Sequence, residues 1–159
     1  MSVSNLSGNL KRRMKSASRL YAVQALFQME STNQPIDTVL AEFEEYRMGP
    51  ELDDQQLEDG DIEHFRRVVA GAVNNQARID QMTDRALVAK WPIARIDPTL
   101  RAVFRAAGAE MIEGDTPPKV AIVEYVEVAL AFFPDGKESS FVNAVLDHIA
   151  REAKPGSFV

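Results

Sequence analysis

Apolar side chains recur along this chain with a helical period, in stretches separated by short polar or proline-marked breaks. Leu20, Val23, Leu26 and Phe27 predict a first amphipathic helix, ending near the polar cluster Ser31-Thr32-Asn33. Ile36, Val39, Leu40 and Phe43 predict a second, opened by Pro35 and closed near Gly49-Pro50, and residues 51–60 read as an acidic loop. Phe65, Val68, Val69 and Ala72 mark a third from near Asp61, and Ile79, Met82, Ala86 and Leu87 a fourth after Asn74-Asn75. The pattern leaves open whether these are two helices or one bent helix.

Asp97 followed by Pro98 is a start signal for a fifth helix, because aspartate accepts first-turn N–H groups and proline lacks the N–H that would go unpaired there. Val103, Phe104, Ala107 and Met111 lie inside it, Gly114 falls just past its end, and Ala106-Ala107-Gly108-Ala109 would let another backbone approach closely. Pro117-Pro118 opens a sixth, for which Val120, Val123, Val126 and Leu130 are the expected buried face. In the seventh, Val142, Val145, Leu146 and Ile149 form the buried stripe, with Phe141 about 90° from its centre. No strand-like alternation and no internal repeat is visible, so the expected class is all-α with about seven helices.

Composition narrows the function more than the fold. With 159 residues, 45% apolar and 26% charged, the chain suits one domain with its own core. It has no cysteine, which removes disulfides, thiolate metal sites and thiol catalysis. No secretory core or membrane-spanning run is visible, and the expected location is the cytoplasm.

The net charge of −6 argues against attachment to a polyanion over the whole surface, but the charge is unevenly spread. Lys11, Arg12, Arg13, Lys15 and Arg19 fall within nine positions, whereas Glu42 to Glu63 holds ten acids and one arginine. A nucleic-acid site should therefore be local and N-terminal. On a continuous helix Lys11, Lys15 and Arg19 lie at i, i+4 and i+8, a ladder that could follow a phosphate backbone; the alternative is a solvated basic arm.

Catalytic and metal patterns fail. His64 and His148 have no second histidine at ligand spacing, an EF-hand register anchored on Gly60 puts Arg66 where the bidentate glutamate belongs, and Gly136-Lys137 lacks the glycine of a phosphate loop. No cofactor and no enzymatic activity are expected. Phe141 reads either as core or as a platform for a stacked base, beside Lys137 and a first turn that Ser139 or Ser140 could cap.

Three blocks carry a resemblance. Ser18-Arg19-Leu20-Tyr21-Ala22-Val23-Gln24-Ala25-Leu26-Phe27, then Trp91-Pro92-Ile93-Ala94-Arg95-Ile96 leading to Phe104-Arg105 and Glu110, and finally Pro117 to Glu127 with Ser139 to Asp147, resemble in this order the NusB family of bacterial transcription antitermination factors. The resemblance implies two small helical bundles and an adapter that binds boxA-like nascent ribosomal RNA with a NusE-type ribosomal protein, helping RNA polymerase resist termination. It also implies RNA contacts at Arg12, Arg13, Lys15, Arg19, Lys137 and Phe141. Arg105, Glu110 and Glu124, charged residues on mainly apolar helices, are expected as partners in a semi-buried charge network. Val123 stands where the family usually has asparagine, and Ser140 where it often has a basic residue.

The expected organisation is a flexible basic arm at 1–15, one domain at 16–153 and a flexible tail at 154–159. Two rival readings share this pattern: the RNA-recognition domain fused to ribosomal RNA cytosine methyltransferases, for which the chain length leaves no catalytic domain, and a helical interaction module without RNA.

Overall fold

A computed structural model describes residues 8–47, 60–87 and 95–158. Among these it contains seven α-helices and no strand: α1 (Gly8–Thr32), α2 (Ile36–Glu42), α3 (Ile62–Asn74), α4 (Gln76–Ala86), α5 (Pro98–Glu113), α6 (Pro118–Phe132) and α7 (Ser139–Ala153). A π-helical turn over Phe43–Arg47 extends α2, and a 3-10 turn over Pro155–Phe158 follows α7. The predicted end of the second helix at Gly49-Pro50, the acidic segment 51–59 and the block 91–94 lie outside the described residues.

Helix α5 is central to the packing, because it contacts α1, α3, α4, α6 and α7. Its start and stop follow the sequence: the Asp97 carboxylate accepts the Thr99 N–H at 2.7 Å, Pro98 occupies the first turn, and Gly114 ends the helix. Ala102, Ala106, Ala107 and Ala109 are buried, so neighbouring helices come close from several directions. At Gly108 the close neighbour is a side chain. A Cβ there would stand 2.7 Å from Ile79 Cγ2, so the missing methyl seats Ile79 of α4. Helix α5 thus joins the earlier helices α1 and α3 to the later helices α6 and α7.

The third and fourth helices are separate, divided at Asn75 (φ −113°, ψ 14°). Asp61 caps α3 by accepting the His64 N–H at 3.1 Å. Phe43 stacks on Phe65 with ring centroids 5.7 Å apart, which fixes the α2 extension on α3. Between α6 and α7 the backbone turns through Gly136 at φ +74°, a left-handed conformation that glycine adopts without a Cβ penalty.

Three expectations change. Helix α1 begins at Gly8, so Lys11 to Lys15 sit on a helix and not on an arm. Residues 154–158 are folded back: Lys154 Nζ donates to the Gly114 carbonyl at 2.9 Å, and the Arg151 guanidinium lies 4.5 Å from the Phe158 ring centroid.

The third change is the face that α6 buries. Ala121, Ile122, Tyr125, Val128 and Ala129 point inward, while Val120 and Val123 are exposed, Val123 at 63%. This helix is apolar nearly all round, so two stripes fit its sequence, and Lys119 and Glu127, both exposed one turn from Val123, mark the outer one.

Candidate nucleic-acid interface

The basic segment is presented by the first two turns of α1. Arg12, Arg13 and Lys15 are exposed and Lys11 is half-buried, so three exposed cations are carried on a helical frame. The predicted ladder stops there. Arg19 is only 4% exposed and turns inward, because it shares the i, i+4, i+7 stripe of Val23 and Leu26.

Inside, Arg19 meets Glu110 of α5 as a bidentate pair, with Nε to Oε1 at 3.0 Å and Nη2 to Oε2 at 2.7 Å. The same carboxylate accepts the Tyr125 hydroxyl at 2.8 Å and the Thr116 hydroxyl at 2.7 Å, and His64 Nε2 stands 3.3 Å away. Burial alone would raise the Glu110 carboxyl, but the hydrogen bonds from His64 and Arg19 override it and hold the group well below the usual carboxylate range. Burial, together with the Glu110 charge, pushes the Tyr125 phenol well above its ordinary value, so the phenol stays a donor.

Glu124 of α6 completes the knot, 3.5 Å from Arg19 Nη1 and accepting the Ser16 hydroxyl at 2.9 Å. Next to Arg19, the buried Ser18 hydroxyl donates to the Asp61 carbonyl at 2.8 Å, tying α1 to the start of α3. Arg19 is therefore corrected from an RNA contact to the residue that fixes how α1 lies, and with it where Arg12, Arg13 and Lys15 project. The charged residues expected in one network form two. Arg105 pairs instead with Asp80 at 2.8 Å and Glu30 at 3.1 Å, and Arg101 also binds Glu30.

Lys137 and Phe141 lie at the start of α7, with Lys137 exposed in the preceding turn. The Phe141 ring makes an edge contact with the fully buried Phe104, centroids 6.1 Å apart at 63°, yet remains 37% exposed. It is neither core nor free: one edge is held while the rest faces outward. Neither serine caps α7; Glu138 precedes the helix and makes no side-chain cap bond, and Ser139 and Ser140 are its first two residues. The basic segment and the Phe141 region lie on different helices, both of which pack on α5 and α6.

The NusB family model matches residues 16–151, from the middle of α1 into the last turn of α7. The chain belongs to the NusB family. It is 44% identical over 150 residues to the transcription antitermination protein NusB of Caulobacter vibrioides, covering 94% of this chain and 99% of that protein. The T. maritima NusB structure superposes with a TM-score of 0.70 at 32% identity, covering 90% of this chain and 95% of that one. The fold is also that of a chain in a complex of the antitermination factors NusB and NusE with double-stranded RNA (TM-score 0.68, 22% identity, 86% and 96% covered).

Within this NusB-family chain, sequence reasoning missed His64, Thr116 and Tyr125 as members of the Arg19 knot. A signal existed for His64. His64, Val68 and Gly71 follow i, i+4, i+7, as do Val103, Ala107 and Glu110, so both polar residues fall on buried stripes facing Arg19. Thr116 lies outside a helix and carries no such mark. Among the described residues no cluster of side chains could hold a metal ion, and no helix is long and apolar enough to cross a membrane.

Proposed function

We infer that this chain is a cytoplasmic, non-enzymatic RNA-binding adapter of transcription antitermination, acting on boxA-like nascent ribosomal RNA together with a NusE-type ribosomal protein and RNA polymerase. The observation that carries this reading is a helix whose exposed cations Arg12, Arg13 and Lys15 are held in place by a buried ion-pair knot one turn further along. A basic patch on a rigid frame is what a local backbone contact needs on a surface that is otherwise acidic. Phe141, held at one edge by Phe104, offers a ring on which a base can stack, and Lys137 stands in the turn before it.

The net charge of −6 opposes RNA binding by the chain alone, and a basic ribosomal partner supplies further phosphate contacts. Affinity for a boxA-type single strand, measured by fluorescence anisotropy with and without the partner, tests the reading. Tighter binding with the partner supports it, and no binding in either arm refutes it.

A further inference from the structure

A cavity of 270 Å³ opens between α1, α3 and the turn from α5 to α6, lined among others by Lys15, His64, Arg67, Glu113, Asp115 and Thr116. It is smaller than the roughly 300–1,000 Å³ of pockets that bury drug-sized ligands, a size suited to a sugar and its phosphate. The informative group is His64, which is 6% exposed. Its Nε2 faces the Glu110 carboxylate at 3.3 Å; since a carboxylate only accepts, Nε2 carries a hydrogen and Nδ1 is the ring's remaining polar atom. That Nδ1 is buried without a hydrogen-bond partner among the described residues. A buried polar atom in this state is a standing cost that a hydroxyl, which both donates and accepts, would remove.

The charges on the wall select further. Lys15 of α1 and Arg67 of α3 are exposed cations from two different helices, Arg67 one turn beyond His64 on the same face. Glu110 is already filled by Arg19, Tyr125 and Thr116, and Glu113 accepts the Asn75 amide at 2.9 Å, while Asp115 lies exposed. A free anion would meet Glu113 and Asp115 as well as the cations. A ribonucleotide unit fits better, because it offers an anion to the cations and hydroxyl donors to the acceptors. Lys15 also ends the exposed run that begins at Arg12, so a strand following α1 arrives at this cavity.

We propose that this cavity is a ribose-phosphate subsite for the bound RNA, with a phosphate held by Lys15 and Arg67 and a ribose hydroxyl hydrogen-bonded to His64 Nδ1. It rests on the RNA-binding function proposed above, and it adds selection of RNA over DNA, since only RNA carries the 2′-hydroxyl.

The test uses the full chain, a single-stranded boxA-type RNA and the all-deoxy strand of the same sequence with deoxyuridine for uridine. Arg67→Ala, a change at an exposed position, should flatten the log–log salt dependence of RNA binding by about 0.7. His64→Phe should weaken RNA binding about 2- to 10-fold, as for one hydrogen bond, and leave the deoxy strand unaffected. In the unmodified protein the His64 Nδ1 resonance should move on addition of RNA and stay in place with the deoxy strand. An Arg67→Ala slope equal to wild type, while an Arg12→Ala/Arg13→Ala double variant flattens it, overturns the subsite and leaves the function standing. A His64 resonance that responds equally to both strands overturns the hydroxyl contact. A wild-type chain that binds neither strand overturns both.

Discussion

Arg19 of α1 and Glu110 of α5, ninety-one positions apart in sequence, form a bidentate ion pair that is almost fully buried, with side-chain exposures of 5% and 2%. Removing one partner leaves a buried charge unpaired, so Arg19→Ala should lower stability by about 3–5 kcal/mol in denaturant melts. Because Arg19 faces inward, the salt dependence of RNA binding by the folded fraction should keep its slope. A stable variant with a flatter slope would return Arg19 to the RNA surface.

The same pair sets an acid limit. The Glu110 carboxyl is lowered from its ordinary 4.5 in the folded state, so its contribution to stability is full above about pH 4.5 and is lost as pH falls toward the folded value. Glu110→Gln should lower stability at neutral pH and weaken the dependence on pH below about 4.5. Urea midpoints measured from pH 7 to pH 3 check this, and an acid slope of wild-type steepness in the variant would assign it to other carboxylates.

Phe141 is expected to divide its energy. Its edge contact with Phe104 is worth about 0.5–1.5 kcal/mol beyond area burial, well short of the 3–5 kcal/mol for truncating a core phenylalanine. Stacking on a base is worth about 1–3 kcal/mol. Phe141→Ala should therefore unfold slightly more easily and bind RNA more weakly, and normal affinity with a full core-sized stability loss would count against the platform.

On α6 the contrast between adjacent residues is the expected result. Ile122→Ala should cost about 2–5 kcal/mol, whereas Val123→Ala should stay within about 0.5 kcal/mol. Equal costs at the two positions would mean that the buried face is drawn wrongly.

That helix also shows where the sequence ran out. Period located every helical segment but not whether the third and fourth were one helix or two, and the Asp97-Pro98 and Asp61 starts were readable because capping chemistry is local. In α7 the polar face of Ser140, Asn143 and Asp147 leaves one stripe for burial, and Val142, Val145, Leu146 and Ile149 are buried as expected. In α6 the choice of face depended on Tyr125 reaching Glu110, a contact fifteen residues away that no local pattern encodes. The exposed cations of the candidate site were legible as a charge cluster. Which of them would turn inward was legible only if Arg19 was read with Val23 and Leu26 as one stripe before being read with Lys11 and Lys15 as another.

The central claim is that the exposed cations of α1 hold RNA within an assembly that includes a NusE-type protein. Its most direct test is a salt titration of boxA-type RNA affinity for the wild-type chain and an Arg12→Ala/Arg13→Ala/Lys15→Ala variant, each with the partner present. The account predicts a variant of unchanged stability whose log–log slope is flatter by about 0.7 for every phosphate that the removed cations had neutralised. A variant with the wild-type slope and affinity would contradict it.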